Sequence, residues 1–269
     1  MFDTSPPPTD HALMQDSAFA TALTLCGGTP FRLPSGLLLL TRSVAGVPIL
    51  MLPRAAPPTD LHAQLTQAGL ARRPLILSPE RPCAMPRALR ISPPRNLLSL
   101  DLSTNKEIRR AALHQKWRNQ LRRAENSALR LRIRPLSPDH PVLDRETDQA
   151  RTRRYQNWPP ALTAAFVQAA PAQTLLFTAL LRGYEVAHML FLTHGTRATY
   201  HIGHTTDAGR SSHAHNLILW EAMQHLHAAG ITRLDLGPQT TQQIDRFKCR
   251  AGAKLHSTGG TWLRWAVLG

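Results

Sequence analysis

The chain has 269 residues, 42% of them hydrophobic, which is long enough for a core without disulfide or metal staples and too apolar for extensive disorder. Lys and Arg number 32 against 17 Asp and Glu, a formal charge of +15, so anionic partners are expected: nucleic acid, phosphate-bearing small molecules or an anionic membrane surface. Cys26, Cys83 and Cys249 stand far apart, which excludes a disulfide framework and a CxxC zinc knuckle and makes the reducing cytoplasm the expected location.

The opening residues, Met1 to Asp10, are acidic and proline-rich, the opposite of a secretory leader. The longest apolar run, Gly36 to Leu52, is interrupted by Thr41, Arg42, Ser43 and Pro48 and falls short of the roughly 20 residues that cross a bilayer. Within it, Leu37–Arg42 and Val47–Leu52 flank Ala45-Gly46 and predict a hairpin. Asp60 is placed to cap a short helix over Leu61–Leu70, Pro74–Ser78 reads as a buried strand, Pro79–Pro94 as a proline-studded loop, and Asn96–Leu102 as a further strand.

Thr104 and Glu107 have capping-box spacing and predict one helix running to about Ser127, with Leu113, Trp117, Leu121, Ala124 and Ala128 on its apolar face. Leu129, Leu131 and Ile133 then alternate with Arg130, Arg132 and Arg134, the pattern of a half-buried strand. Helices follow over Val142–Trp158 and Ala161–Ala170. Three strands, Thr174–Leu181, Glu185–Thr193 and Arg197–Thr205, are divided by Arg182-Gly183 and His194-Gly195, which predicts an antiparallel meander. Ser211-Ser212 are placed to cap a helix ending at Gly230. A strand over Ile231–Leu236, an amphipathic segment Gln242–Cys249 and strands near Lys254–Ser257 and Thr261–Val267 complete an α/β (α+β) chain with a sheet of mixed direction.

That order, with the strings KWRNQLRRAE (Lys116–Glu125), TYHIGHTT (Thr199–Thr206), LILWEAM (Leu217–Met223), LDLGP (Leu234–Pro238) and DRFKCRAGA (Asp245–Ala253), resembles the GNAT superfamily of N-acyltransferases, in particular its FemAB-like branch of peptidyl and acyl transferases. The likeness covers about residues 100–269 and implies a mostly antiparallel, twisted GNAT sheet flanked by helices. Residues 1–99 look like a reduced version of the first half of double-GNAT proteins. The implied reaction is transfer of an acyl group from acyl-CoA to a small-molecule or peptide amine by direct attack. An aminoacyl-tRNA-dependent transfer of FemAB type is the alternative, and a non-catalytic protein that binds RNA or a membrane surface on the same fold is a third.

The candidate sites follow. Lys248, after Phe247, matches an FK pair that the resemblance places beside the acyl-transfer centre, where an ammonium would stabilise an oxyanion. His201 and Asp235 are candidate proton acceptors. Arg210, Ser211, Ser212, His213, Ala214 and His215 occupy the place of the glycine-containing pyrophosphate loop of acetyl-CoA enzymes and are expected to hold the donor's phosphates at a helix start, although histidines stand where glycines are usual. Lys116, Arg118, Arg122 and Arg123 belong to a stretch from Asn105 to Arg134 with ten basic residues against Glu107 and Glu125, a candidate surface for tRNA or another polyanion. His201, His204, His213 and His215 cluster without a cysteine or carboxylate at ligand spacing, so no metal is expected.

Overall fold

The computed structural model describes residues 10–265. Its elements are α1 (Ser17–Leu25), β1 (Phe31–Arg32), β2 (Leu38–Val44), β3 (Val47–Pro53), α2 (Leu61–Gln67), β4 (Leu75–Ser78), β5 (Leu89–Ser92), β6 (Asn96–Asp101), α3 (Lys106–Ala112), α4 (Gln115–Glu125), β7 (Leu129–Pro135), α5 (Val142–Arg153) and α6 (Pro160–Ala169). They continue as β8 (Thr174–Leu181), β9 (Tyr184–His194), β10 (Arg197–Thr205), α7 (Asp207–Ser211), α8 (Ala214–Ala228), β11 (Arg233–Pro238), α9 (Gln242–Arg250), β12 (Lys254–Ser257) and β13 (Thr261–Arg264).

Two sheets form. One has the order β1-β2-β3-β4-β13-β5, the other β12-β6-β11-β10-β9-β8-β7. The larger sheet is antiparallel except where β10 runs parallel to β11, the mixed architecture that the resemblance implies. On one face Phe177, Ala179, Ala187 and Met189 pack against α4 and α8, with Trp117 and Trp220 wholly enclosed. On the other, Leu176, Leu190, Leu192 and Ile202 pack against α1, α5 and α6. Each such large apolar side chain contributes about 1.5–3 kcal/mol on burial. The smaller sheet buries Leu39, Leu50, Leu52, Leu75 and Leu77 under Leu61 and Leu65 of α2.

The two sheets exchange chain. Strand β6, from the first hundred residues, lies inside the larger sheet, and β13, near the end of the chain, lies inside the smaller one. A polar seam runs between them. Glu80 accepts from Arg197 at 2.6 Å and Arg54 at 3.3 Å and lies 3.6 Å from Arg233, while Asp10 pairs with Arg197. Buried ion pairs of this kind fix geometry more than they add stability.

Three sequence expectations are corrected. The long helix from Thr104 is two: Leu113 is extended, His114 Nδ1 accepts from Lys116 N to cap α4, and His114 N donates to Arg250 O at 2.9 Å, so the break is anchored by α9. The proline-studded loop contains β5, which β13 pairs. Ser211-Ser212 do not begin the helix ending at Gly230. Thr206 caps α7, Ser211 ends it, and His213, in the left-handed region at φ 57°, turns the chain into α8.

Candidate active site

The feature that organises the site is a parting of strands. Arg197/Arg233, Ala198/Leu234 and Thr199/Asp235 are aligned between β10 and β11, and there the pairing stops, although β10 continues to Thr205 and β11 to Pro238. A bulge between Tyr200 and Ile202 bends β10 against β9, and β11 slips against β6 between Asp235 and Pro238. Both strands turn at the same level, so a wedge opens between them. Backbone groups that a neighbouring strand would have matched must find other partners, an extended ligand included. Gly203 leaves room here for the Tyr200 hydroxyl folded over the strand, which a Cβ would displace.

Lys248 stands at the β11 side of the wedge. Thr241 caps α9 by accepting from Ile244 N, and the helix packs Phe247 against Trp117, ring centres 6.0 Å apart. That holds Lys248 buried, with Nζ donating to Pro238 O at 3.2 Å. One of three ammonium protons is thereby used. Burial lowers its pKa, with Asp245 opposing.

On the β10 side the structure shows a carboxylate that the sequence did not disclose. Glu146 on α5 is buried and accepts from Tyr155 Oη at 2.9 Å and Asn157 Nδ2 at 2.8 Å. Gln149 Nε2 donates to Gly203 O at 2.9 Å and Asn157 Nδ2 to His201 O at 3.2 Å, so this cluster grips β10 along its unpaired stretch. Arg154, left-handed at φ 55°, ends α5 and folds Tyr155 and Asn157 back onto Glu146. Burial raises the Glu146 pKa against the effect of its hydrogen bonds, and pushes the Tyr155 phenol up to about 12. Nothing in the local string DRETDQ marks Glu146; the signal is tertiary.

The three proposed catalytic residues are not brought together; no hydrogen bond or ion pair joins any two of them among the described residues. His201 lies on the α6 side, its Nε2 3.0 Å from Thr163 Oγ1 and its ring 4.7 Å from that of Trp158. Burial holds its imidazole near 4, which makes it neutral and a weak base. Asp235 sits where β10 and β11 are still paired and accepts from Arg233 Nε at 3.0 Å. It belongs to the seam. Cavities of about 280 and 510 Å³ lie along that seam and share Arg81 and Pro82. They adjoin the start of β10 and β11, two residues before the strands part, about 7 Å by strand rise.

A row of polar side chains crosses the α5 face beside the Glu146 cluster: Arg132, Thr178, His188 and His204 are aligned on β7, β8, β9 and β10. His188 Nε2 is 3.0 Å from Arg145 Nη1 and Nδ1 3.2 Å from Thr178 Oγ1, and burial takes its pKa down to about 4. His215 turns inward to His204 O at 3.0 Å. Among the described residues no group of His, Cys, Asp or Glu is arranged to hold a metal ion.

The expected phosphate turn is partly bonded to itself. Ser212 N donates to Ala208 O and His213 N to Arg210 O; Ser211 Oγ donates to Asp207 O at 2.9 Å and Ser212 Oγ to Ala208 O at 2.7 Å. Arg210 is paired with Asp207 and donates to Thr205 O at 2.9 Å, and Ala214 is fully buried. The amides of Ala214 and His215, at the start of α8, have no backbone acceptor among the described residues. On α4, by contrast, Lys116, Arg118, Arg122 and Arg123 form no ion pair among the described residues, whereas Arg110 and Arg132 are matched by Glu125 and Glu185.

A family profile described as an acetyltransferase (GNAT) domain matches residues 113–248, just over half of the chain. No curated protein matches the sequence. Among solved structures the chain is similar to FemX, at 11% identity and a TM-score of 0.74 over 95% of this chain and 93% of that one. It is also similar to the C-terminal domain of a putative lysylphosphatidylglycerol synthetase from Agrobacterium fabrum, at 16% and 0.62 over 96% and 91%, and to L-PGS from Bacillus licheniformis, at 12% and 0.58 over 94% and 91%. At such identities the likeness is one of fold.

Proposed function

Because the chain belongs to the acetyltransferase (GNAT) domain family and is an N-acyltransferase, we propose that it joins an activated acyl group to a primary amine by direct attack in the wedge between β10 and β11. The observation that carries this reading is the parting of the two strands after Thr199 and Asp235 with the Lys248 ammonium at its rim. The amine nitrogen attacks the acyl carbon, its surplus proton passes to Glu146, and the carrier's bond breaks, a C–S carrier leaving as a thiolate and a C–O carrier leaving as a hydroxyl that takes that proton. Lys248 faces the oxyanion that forms in between, where a fixed charge in a partly dry site acts most strongly. Glu146, with its raised pKa, is better matched to proton transfer near neutrality than His201.

Two donors are consistent with this chemistry, acyl-CoA and aminoacyl-tRNA. Two amides of the turn, Ser212 and His213, are taken up by bonds of its own while those of Ala214 and His215 stay open to a CoA pyrophosphate, and the α4 cations without ion pairs favour the longer polyanion. The test is amide formation on a set of primary amines with acetyl-CoA and, separately, with charged tRNA. Product from either donor, lost in Lys248→Ala, supports the reading. Amide formation by neither donor, with the protein folded and the donor bound, overturns it.

A further inference from the structure

Residues 17–100 contain nine arginines and only two acids, Asp60 and Glu80, and Glu80 is taken up by the seam. The smaller sheet is therefore basic, and the face turned away from α2 carries an apolar row that is partly buried and ends at an exposed leucine. Leu50, Leu52, Leu75 and Leu77 point to α2. Their neighbours Met51 and Ile76 point the other way and are aligned with Leu263 and Leu89 across β3, β4, β13 and β5. Met51, Ile76 and Leu263 belong to none of the three cores and, like Ile49, are partly buried, while Leu89 is 61% exposed.

The topology gathers the cations at one end of the same sheet. The β2–β3 turn, the start of β4, the end of β13 and the start of β5 lie together there, because β4 is parallel to β3 and antiparallel to β13, which is antiparallel to β5. Exposed Arg42, Arg72, Arg73 and Arg87 sit at that end beside exposed Val44, Val47, Leu89 and Trp265, and none of the four arginines has an ion pair among the described residues.

We propose that this end and face of the smaller sheet dock on an anionic phospholipid bilayer. Exposed apolar tips, a tryptophan and unpaired arginines with no acid between them are what a negatively charged lipid interface recognises: the side chains enter the headgroup region and the cations meet the lipid phosphates. A second copy of the chain fits poorly, because it would set the same arginines against one another. A nucleic acid has no use for the Met51–Ile76–Leu263–Leu89 row. The inference is independent of the acyl-transfer reading and of the wedge.

The experiment is co-sedimentation of the full chain with vesicles of phosphatidylcholine alone and of phosphatidylcholine with an equal part of phosphatidylglycerol. Binding is expected only to the second. Arg72→Glu with Arg73→Glu should lower the partition coefficient about tenfold or more, since each cation near such a surface contributes about 1 kcal/mol. Leu89→Ser with Trp265→Ser should lower it comparably, with Trp265 fluorescence quenched by brominated phosphatidylglycerol in the parent chain. All variants should keep their melting transitions, because these side chains are exposed. Equal binding to both vesicles overturns the proposal. So does binding that the arginine variants lose and the Leu89/Trp265 variant keeps, which marks a nucleic-acid surface. A dimer in sedimentation that either variant dissociates overturns it as well.

Discussion

Thr199 and Asp235 are the last residues at which β10 and β11 run side by side, and Lys248 Nζ is bonded to Pro238 O three residues beyond Asp235. The strands part where an ammonium is held at the rim of the gap. This relation places the proposed oxyanion partner, and it sets the first expectation. Lys248→Met keeps the buried stem and removes the charge, so turnover should fall by ~10²-fold or more with the fold intact. As pH rises through the lowered Lys248 pKa the ammonium is lost, so parent activity should decline on the alkaline side and the variant should lack that limb. Full turnover in Lys248→Met removes the residue from the reaction.

Glu146→Gln is nearly isosteric and should cost ~10²-fold or more in turnover if the carboxylate takes the amine proton. Burial raises the Glu146 pKa, so its proton-accepting form is lost as pH falls through a value above the ordinary glutamate range. The parent should therefore show an acid limb displaced upward. The Gln variant should lose the limb along with the rate; a variant with low activity but an unchanged acid limb assigns Glu146 to holding β10 only.

Reversal of Arg122 and Arg123 to Glu should weaken donor binding with little change in melting temperature, because both are exposed and unpaired. For a tRNA donor the slope of log affinity against log salt should flatten by about 0.7 for each lost phosphate contact. Filter binding at several salt concentrations reads this directly, and an unchanged slope places the donor elsewhere.

His188, His194 and His201 are each held near 4, chiefly by burial. Their folded-state values lie below that of an unfolded histidine, so the unfolded chain binds more protons in the interval between. Stability is fully present above about pH 6.5 and is lost as pH falls toward about 4, by up to about 1.4 kcal/mol per pH unit for each imidazole. Urea melts from about pH 7 to about pH 5 should show this slope, and His188→Gln should reduce it. A flat profile contradicts the buried, neutral assignment.

The meander was legible because Arg182-Gly183 and His194-Gly195 punctuate alternating strands, and β8, β9 and β10 lie within a residue of their expected ends. Helix α1 was not, because SAFATALTL is apolar nearly throughout and carries no 3.6-residue contrast. The break at Leu113–His114 was hidden by an apolar spacing that continues across it. Lys248 was marked by its neighbours in the string, and its Nζ is bonded to Pro238 O at the end of β11. Glu146 could not be, since its environment is made by Tyr155 and Asn157 after the chain reverses at Arg154. The exchange of β6 and β13 between sheets is likewise a property of pairing at long range, where local pattern is silent.

The reacting acyl group is proposed to lie between Tyr200–Thr205 and Leu236–Pro238. Amide hydrogen exchange of these two segments, with and without acetyl-CoA and with and without a non-hydrolysable aminoacyl-tRNA analogue, tests it most directly. Slower exchange is expected in both segments with the true donor, while Arg197–Thr199, already paired with β11, changes little. Binding of either donor that leaves both segments unprotected would contradict it.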